Sequence, residues 1–425
     1  MIDLLISLLN ENKNVSDYEI KKINKNSREL FYVLKKLEIN RAVETENISC
    51  TVYVNADDST GSSTINIVAS DNKTSIKKKI NMAVNKAKAT LNKAYKLPEA
   101  DKNIKKVFKK KPDLNDIALK CANAVFKADK YKEGYINSTE IFVSDITEEF
   151  ISSKGIHHQV ESLRINIEAI PSWKSEKEEV ELYEMYESSI LDEAGITKRM
   201  NEVLNNAKER SMAKTLKEVN IEKDIPVYID GEMMELLMDN FMSETSYKSV
   251  FYKINHYSRK DKISDSDFDL TARGYIDGLT SSRYYDSNGV VLKSKKLIEH
   301  GTVKNLYGDV QYGTYLDMKN ITGNYAVMEL TNNDKPVTKQ AMKKEKHLIV
   351  SYFSSPQLDE SSGYFGGEVR LAFYYDGEKY IPLTGLSISG NIYEAIKTVK
   401  FSKEEYSGRK LKGPKYMILR NIDIH

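Results

Sequence analysis

The stretch Glu368-Val369-Arg370-Leu371-Ala372-Phe373-Tyr374-Tyr375-Asp376-Gly377-Glu378-Lys379-Tyr380-Ile381-Pro382-Leu383 decides the character of the C-terminal half. Asp-Gly between two alternating runs is the strongest short-range signal for a hairpin. The same texture extends outward in both directions. After a strand at Ile225-Pro226-Val227-Tyr228-Ile229, Asp230-Gly231 leads into a short helix over 232–244. Helical periodicity then largely disappears, and Tyr, Gly and short alternating runs replace it. Residues 221–425 therefore read as a β-rich domain.

Upstream the pattern mixes both periods. Residues 50–70 read as two strands turning at Asn55–Gly61. Ser75 is placed to cap a helix with Ile80, Ala83, Val84, Ala87, Leu91 and Ala94 on one face, ending before Pro98. A lysine-rich linker over 99–113 follows, then a helix at about 115–129 and strands near 136–145, 163–170 and 178–187. A long polar helix over about 191–215 has Ile196, Met200, Val203, Leu204 and Ala207 on its apolar side. The expected class is α+β, with an N-terminal domain at 1–100, a second α+β segment at 101–220 and the β-rich domain beyond. The N-terminal half should combine a mixed or antiparallel sheet with packed helices.

Composition weighs against several function classes. A net charge of +2 over 425 residues provides no global field toward DNA or an anionic membrane. Only 11 of 64 basic residues are Arg, the side chain favoured for forked phosphate and base readout. Lys73–Lys111 carries fourteen Lys against two acids, Glu99 and Asp101, but no aromatic run interleaves to stack bases. A solvated helix face and linker explain it better than a nucleic-acid track. Cys50 and Cys121 both sit in apolar patterns, as buried free thiols do. Met1–Leu9 has no basic flank or cleavage site and reads as an amphipathic helix. No apolar run approaches the ~20 residues needed to span a bilayer. The expectation is a cytoplasmic protein.

The common catalytic motifs are missing. There is no G-x-x-x-x-G-K-[ST], and Gly363-Tyr364-Phe365-Gly366-Gly367 precedes a strand, not a helix whose N-terminus could take phosphate. Gly385-Leu386-Ser387-Ile388-Ser389-Gly390 resembles a nucleophile elbow only loosely. Of the six histidines, only His157 and His158 are neighbours, and adjacent residues point to different sides of a strand or helix.

Several short segments occur in an order that resembles the TldD/PmbA family of peptidases, formerly called modulators of DNA gyrase. They are Gly61-Ser62-Ser63-Thr64, Ile225–Asp230, Tyr285-Asp286-Ser287-Asn288-Gly289, Leu297–Val303, Thr322-Gly323-Asn324 and Ile388-Ser389-Gly390-Asn391. In that family, TldD-type members carry H-E-x-x-x-H on the helix after the strand, and a late Cys completes a zinc site. Here Met238, Asp239 and Ser243 stand at those positions, and no Cys follows Cys121. A thioether, a shortened carboxylate and a hydroxyl do not make a zinc site with a general base. Met234, Met238 and Met242 recur every four residues instead, as an apolar stripe.

The resemblance thus implies a PmbA-type (TldE-type) subunit with no metal, cofactor or catalytic residue of its own. Zinc is expected only in a TldD-type partner, or the chain forms a homodimer; the shared substrate is a peptide. Gly323, Asn324, Gly390 and Asn391 become candidate peptide-cleft residues. The alternatives are a stand-alone metallopeptidase homodimer with a divergent metal site built from distant histidines, a nucleic-acid-binding protein, and a peptide-binding module without a protease partner.

Overall fold

Strands β1 (Asp17–Val33) and β2 (Lys36–Ala56) form a long antiparallel hairpin closed by Leu34-Lys35, whose φ angles are 46° and 67°. This two-residue turn needs positive φ at both positions, a conformation usually served by Asn-Gly. It is part of a computed structural model that describes residues 1–425. Helix α1 (Ile2–Glu11) precedes the hairpin. The first sheet adds β3 (Ser59–Ile67), β4 (Leu91–Lys93), β5 (Lys105–Lys106), β6 (Gly134–Ser152), β7 (His157–Lys174), β8 (Glu179–Glu181) and β9 (Glu184–Ser188). Its order is β4-β3-β2-β1-β6-β7-β5, with β8 and β9 on β7.

Two pairs of helices bury separate apolar patches of this sheet. Helices α1 and α2 (Lys73–Ala89) enclose Leu5, Leu9, Ile20, Ile48, Cys50, Ile76 and Ile80. Helices α3 (Leu114–Ala128) and α4 (Glu193–Ser211) enclose Cys121, Val125, Ile141, Val143, Ile165, Ile196, Met200 and Leu204. Both cysteines are free and buried.

Local details differ from the sequence expectations, each for a visible reason. Asn72, not Ser75, is the N-cap of α2; Ser75 returns the bond as the third helical residue of a capping box. The helix ends at Ala89, and Leu91–Lys93 leave it to pair with β3. Gly61 lies inside β3, not in the turn, which is Asp57-Asp58. A Cβ at Gly61 would overlap the Ala87 carbonyl oxygen, so this glycine lets α2 close onto the sheet. The linker is not wholly irregular, because Lys105–Lys106 pair in parallel with Gln159 and Val160.

From Val227 the chain builds two further sheets. Their strands are β10 (Val227–Ile229), β11 (Phe268–Arg273), β12 (Lys295–Glu299), β13 (Thr302–Val303), β14 (Val327–Asn332), β15 (His347–Phe353), β16 (Gln357–Leu358), β17 (Tyr364–Tyr375), β18 (Tyr380–Leu383), β19 (Leu386–Asn391), β20 (Lys400–Phe401), β21 (Glu405–Ser407), β22 (Leu411–Pro414), β23 (Met417–Leu419) and β24 (Asp423–Ile424). One sheet runs β20-β23-β10-β15-β17-β19-β24, with β16 and β18 on β17; the other runs β13-β12-β11-β14-β22-β21. Helices α5 (Gly231–Glu244), α6 (Tyr247–Tyr252), α7 (Val310–Tyr315), α8 (Lys339–Met342) and α9 (Ile392–Ala395) accompany them. One core of 40 buried residues takes side chains from both sheets and from α5. In the β17–β18 hairpin, Asp376 N–H donates to the Lys379 carbonyl, so the loop residues are Gly377-Glu378.

One of the places where the two halves meet is the loop Tyr285–Gly289. Asn288 Nδ2 donates to Glu19 of β1, and the His158 ring of β7 lies 2.8 Å from the Gly289 carbonyl through Nε2. Because His158 Nδ1 accepts from Ile104 N–H, Nε2 carries the ring proton. Gly289 has φ +82°, and a Cβ there would stand 2.5 Å from Phe150 Cε1. No helix is long and apolar enough to cross a membrane.

Candidate functional site

Helix α5 follows β10, fully buried in mid-sheet, with Asp230 between them as its N-cap residue. Its apolar side is Met233, Met234, Leu237, Met238, Phe241 and Met242, all within the 40-residue core. Met238 is 0% exposed, so its thioether is a packing atom.

The opposite side carries Glu235, Asp239, Asn240, Ser243 and Glu244, and most of these already have partners in the chain. Glu235 Oε1 accepts from the Lys410 and Leu411 backbone N–H groups (3.2 and 3.3 Å) and from Tyr406 Oη (3.3 Å). Burial nonetheless pushes its carboxyl above the usual range, against these hydrogen bonds. Asp239 Oδ2 lies 2.6 Å from Lys410 Nζ. Glu244 Oε1 lies 2.8 Å from Tyr393 Oη and 2.9 Å from His256 Nδ1. Asn240 Nδ2 donates to the same Tyr393 oxygen at 3.3 Å. Burial pushes the Tyr393 phenol up, as does its bond to Glu244. His256 Nε2 reaches the Ser361 carbonyl at 2.9 Å, so both ring nitrogens meet oxygen acceptors.

This donor set does not suit zinc. Of the three positions, Met238 faces the core, Asp239 is neutralised by an ammonium, and Ser243 is a half-buried hydroxyl. The nearby imidazole, His256, is held by Glu244 and lies outside the helix.

The candidate cleft residues fall into two separate places. Asn324 takes Asp286 Oδ2 on its backbone N–H (3.1 Å) and donates to Asp309 Oδ2 (3.1 Å), while a Cβ on Gly323 would press on Leu292. Gly390 lies in β19 against Ile422, and Asn391 caps α9 and donates to the Ser362 carbonyl. No hydrogen bond joins the two pairs. All four have local structural work, turning loops and capping a helix.

One metal-capable cluster escaped the sequence reading. Asp267 and Asp269 flank Phe268 at the start of β11 and so share one face, and the β12–β13 turn brings His300 to them. His300 Nδ1 lies 2.7 Å from Asp267 Oδ1, and Lys296 Nζ lies 2.8 Å from Asp269 Oδ2. The Asp267 partner raises His300 above the ordinary imidazole value. A divalent ion there would compete with an ammonium and with a proton. Ser389 Oγ lies 3.2 Å from His425 Nε2, but no third side chain holds that ring as catalysis would require.

Residues 222–425 match the family model described as the PmbA/TldA metallopeptidase C-terminal domain. Over the whole chain the fold is similar to that of TldE from Thermococcus kodakarensis, at 16% identity and TM-score 0.78, covering 100% of this chain and 99% of that one. It is similar also to a candidate modulator of a DNA gyrase from Thermotoga maritima (13%, 0.77, 99% of both chains). A further one, from Bacteroides thetaiotaomicron, gives 15% and 0.74, covering 99% of this chain and 97% of that chain. At these identities the likeness is one of fold. No curated protein matches the sequence.

Proposed function

Because residues 222–425 match the PmbA/TldA metallopeptidase C-terminal domain model, we propose that this chain is a TldE-type subunit that shapes a peptide cleft for a zinc-bearing TldD-type partner. The observation that carries the reading is the filled polar side of α5. An ammonium, Lys410, neutralises Asp239, and the flanking positions offer no imidazole or thiolate. Peptide processing or proteolysis would then depend on the partner's metal. This chain would contribute strand edges and loops, whose backbone groups hold extended peptides with little regard to sequence.

The test combines composition with reconstitution. Purified without chelator, the chain should hold no stoichiometric zinc by elemental analysis, and should cleave unfolded peptide only after a TldD-type subunit is added. About one zinc per chain, with peptidase activity from the chain alone, would overturn the reading.

A second reading, a homodimeric enzyme with a divergent metal, has one observation in its favour: the Asp267–Asp269–His300 cluster. Metal retained by the wild type and lost on His300→Ala would support it.

A further inference from the structure

Five aromatic rings from three separated segments cluster at the surface where the two halves adjoin. Phe251 of α6 lies with ring centroids 5.3 Å from Tyr252, 5.5 Å from Tyr312 and 5.3 Å from Tyr315. Tyr95, just past β4, packs on Tyr315 at 6.3 Å, and Tyr315 Oη donates to the Lys93 carbonyl. The cluster is not covered. Phe251 is 38% exposed, Tyr252 54% and the adjoining Ile254 62%. Large exposed aromatics grouped in this way are the composition of an interface core.

The rim is rich in lysine, with one exposed acid beside it, Asp58, whose carbonyl accepts from Ala94 N–H next to Tyr95. Lys248 and Lys253 flank the exposed rings of α6, and Lys93 Nζ stands 5.7 Å from the Tyr315 ring centre. None of the three forms an ion pair within 4.0 Å. Of the acids on α7, Asp309 is spent capping the helix and holding Asn324, and Asp317 lies past its end.

The geometry points to this patch as a docking site for an acidic, apolar-bearing extended segment of another protein. Charge selects the occupant. A second copy would set the same lysine rim against itself, which like-charge repulsion disfavours. Single-stranded nucleic acid needs open ring faces along a basic track, but here Phe251 packs edge to face on Tyr252 (77°), as Tyr252 does on Tyr312 (61°), and Phe251 leans on Tyr312 and Tyr315 at 50° and 46°. The three lysines also form a rim, not a track. The inference holds whether or not the partner carries zinc.

The test uses the full chain and a fluorescein-labelled extended peptide of alternating Glu and Phe, against the same peptide with Lys for Glu. Anisotropy should show binding of the acidic peptide alone, weakening as salt rises. Lys248→Glu with Lys253→Glu, at exposed positions, should weaken it by roughly tenfold, as should Phe251→Ser with Tyr252→Ser. Thermal melts of the lysine variant should match the wild type, and the aromatic variant should still melt in one cooperative transition. Equal binding of the two peptides would overturn the proposal. So would tighter binding of single-stranded DNA that the lysine variant abolishes, or patch-dependent self-association by light scattering.

Discussion

Lys410 Nζ sits 2.6 Å from Asp239 Oδ2, linking the strand pair β21–β22 to helix α5 across 171 positions of sequence. Both side chains are about one-third exposed, so solvent screens the pair, and its contribution should be about 1 kcal/mol. Lys410→Met and Asp239→Asn should each lower stability by that order in chemical denaturation. The double variant should cost less than the sum of the singles. Strict additivity would show that the contact is incidental.

Restoring the family's ligands should not restore the site. In a regular α-helix, residues five apart are separated by about 500°, or about 140° net. Helix α5 is unbroken from Gly231 to Glu244, and Met238 points into the core. The variant Met238→His, Asp239→Glu, Ser243→His, with a cysteine added to the C-terminal segment, should bind zinc weakly, cleave peptides poorly and melt earlier. Micromolar or tighter zinc affinity by calorimetry would show that α5 bends on demand.

The joint between the halves should respond to pH. Burial pushes the Glu19 carboxyl up to about 7, against hydrogen bonds from Tyr53 and Asn288, with Asp286 and Asp17 adding repulsion. Asp286 is raised as well, first by its own burial. A carboxyl raised on folding stabilises fully below its unfolded value near 4.5, and that stabilisation is lost as pH rises through about 7. The loss is on the order of 3 kcal/mol. Glu19→Gln should flatten the fall in stability between these limits. An unchanged slope would place the effect elsewhere.

Gly61→Ala should be costly for so small a change. The added methyl meets the Ala87 carbonyl oxygen, so α2 must lift from β3. A loss of about 2 kcal/mol or more is expected in denaturant titration. Ser63→Ala, two residues along the same strand and half-exposed, should be nearly neutral.

How legible all this was depended on the local chemistry of each segment. The β17–β18 hairpin could be read because Asp376-Gly377 is a turn signal, and Gly377 indeed has φ +107°. The larger β1–β2 hairpin could not, because Leu34-Lys35 carries no turn signal, and the surrounding sheet forces positive φ on two ordinary residues. Helix α5 was legible by its methionines every fourth residue, which all reach the core. Its polar partners were not. Lys410, Tyr406 and Tyr393 come from a loop, a strand and a short helix 149 to 171 positions away, His256 comes from the loop 12 positions on, and no spacing rule connects them to Glu235, Asp239 or Glu244.

The missing side chain of Gly289 acts as a spacer of zero thickness. With Phe150 where a Cβ would fall, the loop and the first sheet approach as closely as bare backbone allows. Any other residue would be a wedge between the halves. Its apex would lie beside the His158–Gly289 bond. One methyl group here would therefore strain the joint locally, since contacts elsewhere, such as Tyr352 Oη to Glu184 and Lys214 N–H to the Pro382 carbonyl, hold the halves in place on their own account.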